Sequence, residues 1–309
     1  MLRQTFTIFI LLISTTLFAQ KEEIVFLTED SAKIEGTLHI PEAKGKIPVA
    51  LIIAGSGPTD RDGNNPMMTN NSLKLIATSL DENGIASLRY DKRGVGASKA
   101  AMTSESDLRF DHYVNDAVRW VEFLRKDGRF GDITVIGHSE GSLIGMIAAQ
   151  EGHVDKFVSL AGAGEPAADL LRTQLSVQPD VLRMSEPILH MLETGETTEN
   201  VSPYLFTLFR PSVQPYMISW FKYDPRKEIA KLTQPVLILQ GTTDIQVSVE
   251  HADKLSKANP AAQLSIIQGM NHILKEAEAE KSKNIETYNM PELPLQKGLM
   301  EAIVDFIKK

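Results

Sequence analysis

The sequence has 309 residues, of which 42% are hydrophobic, enough for one large core or for a core with an inserted subdomain. Its formal net charge is −8 and it contains no long basic run, so nucleic-acid binding is disfavoured. It contains no cysteine, which excludes disulfides, thiolate metal sites, a cysteine nucleophile and a lipidated N-terminal cysteine.

The first 19 residues have the pattern of a secretory signal peptide. Arg3 precedes an apolar stretch over residues 6–18, and the small residue Ala19 marks the expected cleavage site. A membrane anchor is the alternative, but the stretch is shorter than the roughly 20 residues that cross a bilayer. We therefore expect an exported protein, periplasmic or secreted, with no membrane span after cleavage.

From residue 20 to residue 163 the pattern alternates between strands and helices. Strands are predicted at 23–27, 34–40, 48–54, 85–90, 132–136 and 156–161, and helices at 72–82, 111–126 and 142–150. The first two strands read as an antiparallel pair. The later alternation predicts a mostly parallel sheet with helices on both sides, whose ligands bind at the carboxyl ends of the strands.

The rhythm changes between residues 164 and 227. This span is rich in proline and aromatic residues and has helix-compatible stretches but no buried strand, so we interpret it as a helical cap inserted into the sheet domain. A pair of ordinary surface helices is the alternative. The strand pattern resumes in residues 228–309, with strands predicted at 235–240 and 263–267 and helices at 249–258 and 295–307.

A candidate nucleophile stands at the turn between the strand at 132–136 and the helix at 142–150. The pentapeptide GHSEG, residues 137–141, has the G-x-S-x-G pattern in the strand–turn–helix context that this motif requires. Glycines at both ends permit a sharp turn, which exposes the hydroxyl of Ser139 above a helix N-terminus.

Two later loops contain partners for a serine nucleophile. Asp244 follows the strand at 235–240, and His272 follows the strand at 263–267. A serine hydroxyl is a weak nucleophile, so His272 is expected to take its proton, and Asp244 to orient the imidazole. The chain order Ser, Asp, His is that of α/β-hydrolases rather than of the other common serine triads.

At this point the sequence resembles the α/β-hydrolase superfamily, and in particular its bacterial serine esterases. Four motifs carry the resemblance: GSGPTDRDGN at 55–64, DKRGVGAS at 91–98, GHSEG at 137–141 and NHILK at 271–275. The resemblance implies an α/β-hydrolase fold with a cap over the site. It also implies an oxyanion hole in which the backbone N–H of Ser56, or of Gly57, acts together with that of Glu140.

Several charged residues near these motifs have two interpretations. The Glu140 side chain either bridges to a basic residue or is solvated, and Arg93 is more consistent with a structural anchor than with a substrate ligand. Asp60, Arg61 and Asp62 either rim the pocket or form a solvated turn. His138 is assigned to packing.

We expect a metal-independent serine hydrolase that cleaves carboxylic esters of short to medium acyl chains through an acyl-enzyme. No histidine or carboxylate cluster has metal-ligand spacing, so neither metal nor cofactor is expected. A peptidase or amidase acting on short peptides or acyl-amino acids is the alternative enzyme, and an inactive binding protein the alternative from another class. The expected partner is a small-molecule ester, and the sequence leaves the oligomeric state open.

Overall fold

The computed structural model describes residues 21–29 and 32–309. The predicted signal peptide, residues 1–19, lies outside the described residues, as do Asp30 and Ser31 in the first predicted turn. Within the described ranges, no helix combines the length and the apolar character needed to cross a bilayer.

One eight-stranded sheet organises the chain. Its strands are β1 (Lys21–Glu29), β2 (Ala32–Ile40), β3 (Ile47–Ile53), β4 (Ala86–Tyr90), β5 (Phe130–His138), β6 (Lys156–Leu160), β7 (Val236–Gly241) and β8 (Gln263–Ile267). Their order is β1-β2-β4-β3-β5-β6-β7-β8. β2 pairs antiparallel with β1 and β4, and every other pairing is parallel. The predicted fold class, a mostly parallel sheet of the α/β type, is confirmed.

Eleven α-helices are found in the described part of the chain. They are α1 (Ser72–Glu82), α2 (Phe110–Lys126), α3 (Glu140–Glu151), α4 (Ala167–Leu175), α5 (Pro179–Glu193), α6 (Phe206–Phe209), α7 (Gln214–Phe221), α8 (Pro225–Ile229), α9 (Val249–Ala258), α10 (Lys281–Glu286) and α11 (Leu299–Lys308).

Both faces of the sheet are buried, as continuous apolar strands require. Successive side chains of β3 alternate: Leu51 joins the core on the side of α2 and α3, and Ile52 joins the core on the side of α1 and α11. Because β3, β5, β6, β7 and β8 pair in parallel, their carboxyl ends meet at one edge of the sheet.

The segment between β6 and β7 contains α4 to α8 and no strand. Pro179, Pro215 and Pro225 fit this structure because they stand at the first or second position of a helix, where no intrahelical N–H bond is lost, whereas Pro187 lies inside α5. We keep the name cap segment for residues 164–227. The limits of the cap segment at residues 164 and 227 are predictions from the sequence, and α8 continues past residue 227.

The C-terminal region differs from the prediction in two places. The last helix starts at Leu299 and not at residue 295, because Gly298 precedes it in the left-handed conformation with φ 87°. The unpredicted α10 lies within a loop excursion that closes around the buried Lys275. The Lys275 Nζ donates to the carbonyl oxygens of Met290 at 2.8 Å and Leu293 at 2.7 Å, so non-local contacts fix this region.

Candidate active site

The turn between β5 and α3 holds Ser139 in a strained conformation. Its φ is 56° and its ψ −121°, a combination that is costly for a non-glycine residue and recurs at functional turns. The flanking glycines allow close packing: a Cβ on Gly137 would lie 2.2 Å from the carbonyl oxygen of Gly141, and a Cβ on Gly141 would lie 2.4 Å from that of Ile53. The pentapeptide thus forms the sharp strand–helix turn that the sequence predicts.

Replacing Gly141 by alanine is expected to lower the free energy of unfolding by about 3 kcal/mol, because rigid backbone atoms meet the new methyl group. The matched control is Gly128→Ala, since nothing lies within 4 Å of a Cβ at Gly128. Urea unfolding of the two variants measures the difference. Equal midpoints for both variants would show that the turn relaxes without cost.

Ser139, His272 and Asp244 form one hydrogen-bonded chain. The His272 Nε2 lies 3.1 Å from the Ser139 Oγ, and its Nδ1 lies 2.8 Å from the Asp244 Oδ2. A carboxylate only accepts, so the Nδ1 carries the proton and the Nε2 is free to accept from the serine hydroxyl. This tautomer is the one that a general base needs.

The Asp244 carboxylate is fully buried and well supplied with donors. Its Oδ1 accepts from the backbone N–H groups of Gln246 at 2.8 Å and Val247 at 2.9 Å, and its Oδ2 also accepts from the Gln240 side chain at 2.9 Å. Burial by itself raises the pKa of Asp244, but the adjacent His272 and these hydrogen bonds outweigh it, and the pKa lies below its usual value. The group therefore stays ionised beside the imidazole at neutral pH.

His138, which the sequence assigns to packing, also makes a polar contact with the loop after β8, which contains His272. Its Nε2 lies 2.8 Å from the carbonyl oxygen of His272, so this nitrogen must donate, and the two rings are 5.0 Å apart. Burial, with a smaller effect of the nearby His272, lowers the pKa of His138 to about 4. A neutral His138 thus holds the backbone of His272 in place.

The stability of the protein is expected to fall as the pH is lowered from about 6.5 to 4. In this window the unfolded chain takes up a proton on residue 138, near its ordinary pKa of about 6.5, and the folded protein does not. The loss for this group is on the order of 3 kcal/mol, complete near pH 4. Burial also lowers the pKa of His251, which adds to the slope.

Chemical unfolding at several pH values measures this effect. His138→Gln is expected to flatten the dependence between pH 6.5 and 4, whereas His190→Gln, on the exposed face of α5, keeps the wild-type slope. An unchanged slope in His138→Gln would assign the effect to other groups.

The predicted oxyanion residues lie around the same cavity as the serine. Ser56, Gly57, Ser139 and Glu140 all line a cavity of 490 Å³, and Glu140 supplies the first N–H of α3, which has no intrahelical acceptor. The remaining wall is mainly apolar and comes largely from the cap segment, including Leu170, Leu171, Leu208, Met217 and Trp220.

The Glu140 side chain forms a buried ion pair, which decides between its two interpretations. Its Oε2 lies 3.0 Å from the Lys92 Nζ, and its Oε1 accepts from the Tyr216 hydroxyl of α7 at 2.5 Å. Lys92 also donates to the carbonyl oxygen of Gly55 and faces the ring of Tyr113, 4.8 Å from its centroid. The network joins the loop after β3, the turn at Ser139 and the cap segment.

The charged loop after β3 has a structural role that neither interpretation describes. The Arg61 Nη2 lies 2.7 Å from the Glu35 Oε1 and 2.8 Å from the Asp91 Oδ2. These ion pairs tie the loop to β2 and to the turn after β4. Asp62 pairs with Arg89 at 3.1 Å, and the Asp60 carboxylate accepts backbone N–H groups of its own turn.

Arg93 has the anchoring role that the sequence favours. Its guanidinium forms a forked pair with Asp116 of α2, at 2.7 and 3.1 Å. It thereby ties the turn after β4 to α2.

The hydrogen-bonding roles of three side chains of the site were not predicted from the sequence. Lys92 could have been found only as a lysine two residues after the fully buried strand β4, in the turn motif at 91–98. Tyr216 and Gln240 carried no local pattern that distinguishes them from ordinary core residues.

The strand order, with the candidate serine after β5 and the candidate aspartate and histidine after β7 and β8, is that of the α/β-hydrolase fold. Comparison with known proteins agrees. Residues 69–203, which include Ser139 but end before Asp244, match the family described as serine aminopeptidase, S33. The chain has the α/β-hydrolase fold.

One relative is named as an esterase. The chain is 26% identical over 256 residues to the esterase EstD of Thermotoga maritima; the match covers 81% of this chain and 60% of EstD, so the chain spans three-fifths of that relative's length.

Among solved structures, Est1E from Butyrivibrio proteoclasticus with bound ferulic acid has a TM-score of 0.62 at 19% identity, over 92% of this chain and 96% of that one. The Pyrococcus furiosus esterase Pf2001 has a TM-score of 0.60 at 16% identity, over 94% and 91%. A bromoperoxidase from Bacillus anthracis reaches 0.56 at 19% identity, over 93% and 100%. These structural likenesses concern the fold.

Proposed function

We propose that the protein is a serine esterase that hydrolyses carboxylic esters of short to medium acyl chains through an acyl-enzyme. The observation that carries this proposal is the hydrogen-bonded chain from Ser139 through His272 to Asp244 at the edge of an apolar-walled cavity. The naming of the relative EstD as an esterase supports it.

In the first half-reaction His272 takes the proton of the Ser139 hydroxyl as the Oγ attacks the ester carbonyl carbon. The carbonyl oxygen becomes an oxyanion, which the N–H groups of Glu140 and of Ser56 or Gly57 stabilise. The bond to the alcohol oxygen then breaks, and His272 returns its proton to that oxygen. Water repeats the sequence on the acyl-enzyme and releases the acid, while Asp244 holds the imidazole tautomer throughout.

A peptidase or amidase is the second candidate, favoured by the description of the matching family. A peptide terminus needs a charged anchor, and the charged groups in the wall of the cavity already have partners. Glu165 pairs with Lys254, and Arg210 pairs with Glu105. An inactive binding protein is disfavoured, because an inactive scaffold has no need to keep the three-residue chain in hydrogen-bonding geometry.

Hydrolysis of ethyl esters from acetate to laurate, followed by proton release, tests the proposal on the mature protein. We expect turnover with an optimum at short to medium acyl length. Labelling of Ser139 by a fluorophosphonate without turnover of any ester would favour the peptidase, and absence of labelling would favour the binding protein.

We also propose that the protein is exported, on the basis of the pattern in residues 1–19. Cell fractionation combined with N-terminal sequencing of the mature chain tests this. We expect the protein outside the cytoplasm, beginning at Gln20. A cytoplasmic protein that starts at Met1 would contradict the proposal.

A further inference from the structure

Ser139 lies between two cavities of different size and chemistry. The larger, of 490 Å³, has the apolar wall of the cap segment and includes Glu140 and Leu143 but not His272. The smaller, of 190 Å³, lies on the other side and includes both His272 and His138. Ser56, Ser139 and Gln246 line both cavities and so form the boundary between them.

The position of His272 decides which part of an ester enters each cavity. The leaving alcohol oxygen must receive its proton from the His272 Nε2, so it has to lie within hydrogen-bonding reach of that atom. Only the smaller of these two cavities is lined by His272. The acyl group, which stays on Ser139 after the alcohol has left, then extends into the larger cavity.

The smaller cavity is polar as well as small. Its lining includes Thr59, Asn65, Ser72 and His138 beside the apolar Met68 and Ile273, and its volume lies below the roughly 300–1,000 Å³ usual for sites that hold drug-sized ligands. The hydrolytic water attacks from the position that the alcohol vacates, because deacylation is the reverse of acylation with water in place of the alcohol. A polar surface there suits a water molecule too.

We propose that the smaller cavity is the leaving-group subsite, and that the substrates are esters of an apolar carboxylic acid with a small, polar alcohol of up to about the size of glycerol. This assignment rests on the proposed esterase function and adds the substrate class. It predicts that selectivity is strict for the alcohol and permissive for the acid.

Two reciprocal ester series test the assignment. With the hexanoyl group fixed, kcat/KM is expected to fall at least about tenfold from the methyl and glyceryl esters to the benzyl and octyl esters. With methanol fixed as the alcohol, lengthening the acid from hexanoate to decanoate is expected to change kcat/KM less. The opposite pattern would overturn the assignment, whereas no turnover in either series would contradict the esterase function itself.

Matched variants locate the two subsites. Met68→Trp fills only the smaller of the two cavities and is expected to lower kcat/KM for glyceryl hexanoate at least fivefold without changing the preferred acyl length. Leu171→Trp fills only the larger and is expected to shorten the preferred acid without changing the alcohol preference. If Met68→Trp changed the preferred acid and Leu171→Trp changed the alcohol preference, the acyl group would belong in the smaller cavity and the alcohol in the larger.

A separate contact concerns the oxyanion hole. The Lys92 Nζ donates to the carbonyl oxygen of Gly55, which belongs to the same peptide group as the N–H of Ser56. A trans peptide is planar and its C=O and N–H point in opposite directions, so a carbonyl held toward Lys92 turns the N–H away from it. Lys92 is also paired with the side chain of Glu140, whose N–H is the other predicted donor.

We infer that Lys92 is a positioning residue that fixes the orientation of the Ser56 N–H for the oxyanion. Lys92→Met is expected to lower kcat about 100-fold with KM changed less than threefold, since the interaction acts on the transition state. The affinity for a trifluoromethyl ketone, which forms an oxyanion on Ser139, is expected to fall in parallel.

A double variant separates positioning from folding. Lys92→Met alone leaves the buried carboxylate of Glu140 without its cation, which destabilises the protein. Adding Glu140→Gln removes that charge and is expected to restore the unfolding midpoint, but not kcat, because the Gly55 carbonyl still lacks its donor. Recovery of kcat together with stability would reduce Lys92 to a structural role.

Discussion

Ser139→Ala is expected to lower kcat for ethyl ester hydrolysis roughly a million-fold, the scale seen when a serine nucleophile is removed from a triad. The variant retains the cavity and the oxyanion donors, so substrate still binds, but no acyl-enzyme can form. Any remaining turnover comes from direct attack by water on the polarised carbonyl.

Ser142→Ala is the matched control for this variant. Ser142 lies one turn further along α3. Its hydroxyl is hydrogen-bonded to that of Ser159, with 2.8 Å between the two Oγ atoms, and not to the triad. We expect kcat within about twofold of wild type and a slightly lower unfolding midpoint, because one buried hydroxyl loses its partner. If Ser139→Ala kept a tenth of the activity, another residue would be the nucleophile.

Asp244→Asn is expected to lower kcat about 10,000-fold while the protein remains folded. The two backbone N–H groups that meet Oδ1 fix the orientation of the side chain, which directs the amide NH₂ of the asparagine at the Nδ1 of His272. That contact requires an unprotonated Nδ1 and therefore moves the ring proton to Nε2. A protonated Nε2 can no longer accept the proton of the Ser139 hydroxyl.

Asp253→Asn serves as the control, since Asp253 is an exposed residue of α9 that pairs with Lys257. Exposed ion pairs of this kind contribute little, so kcat and stability are expected to match wild type. A loss of less than tenfold in Asp244→Asn would mean that the Asp244 carboxylate is not what fixes the tautomer of His272.

Local patterns were sufficient to predict most of the sheet, the flanking helices and the three members of the candidate triad. Strand and helix periodicity involve residues two to four positions apart, and the helices at Ser72–Glu82 and Val249–Ala258 have the predicted limits. The Gly–Ser–Gly pattern of the elbow is also local, because the turn itself demands glycine at 137 and 141.

Where local patterns competed with distant contacts, the prediction was wrong or incomplete. The apolar spacing near residue 295 predicted a helix, but Leu295 pairs with Lys275 in an isolated bridge, and α11 starts only after Gly298. The charges of Arg61 and Asp62 have no ion-pair partner within their own segment. Their roles depend on β2 and β4, which the sheet order brings beside the loop.

The sequence by itself determined the class of chemistry, because a nucleophile, a base and an acid each follow a strand in a characteristic order. Only the tertiary structure decided how the site is supported and divided. Glu140 has two partners, Lys92 and Tyr216, which lie 48 and 76 residues away from it along the chain. Such pairings, like the two unequal cavities beside Ser139, arise from strand order and from the packing of the cap segment, which no short stretch of sequence encodes.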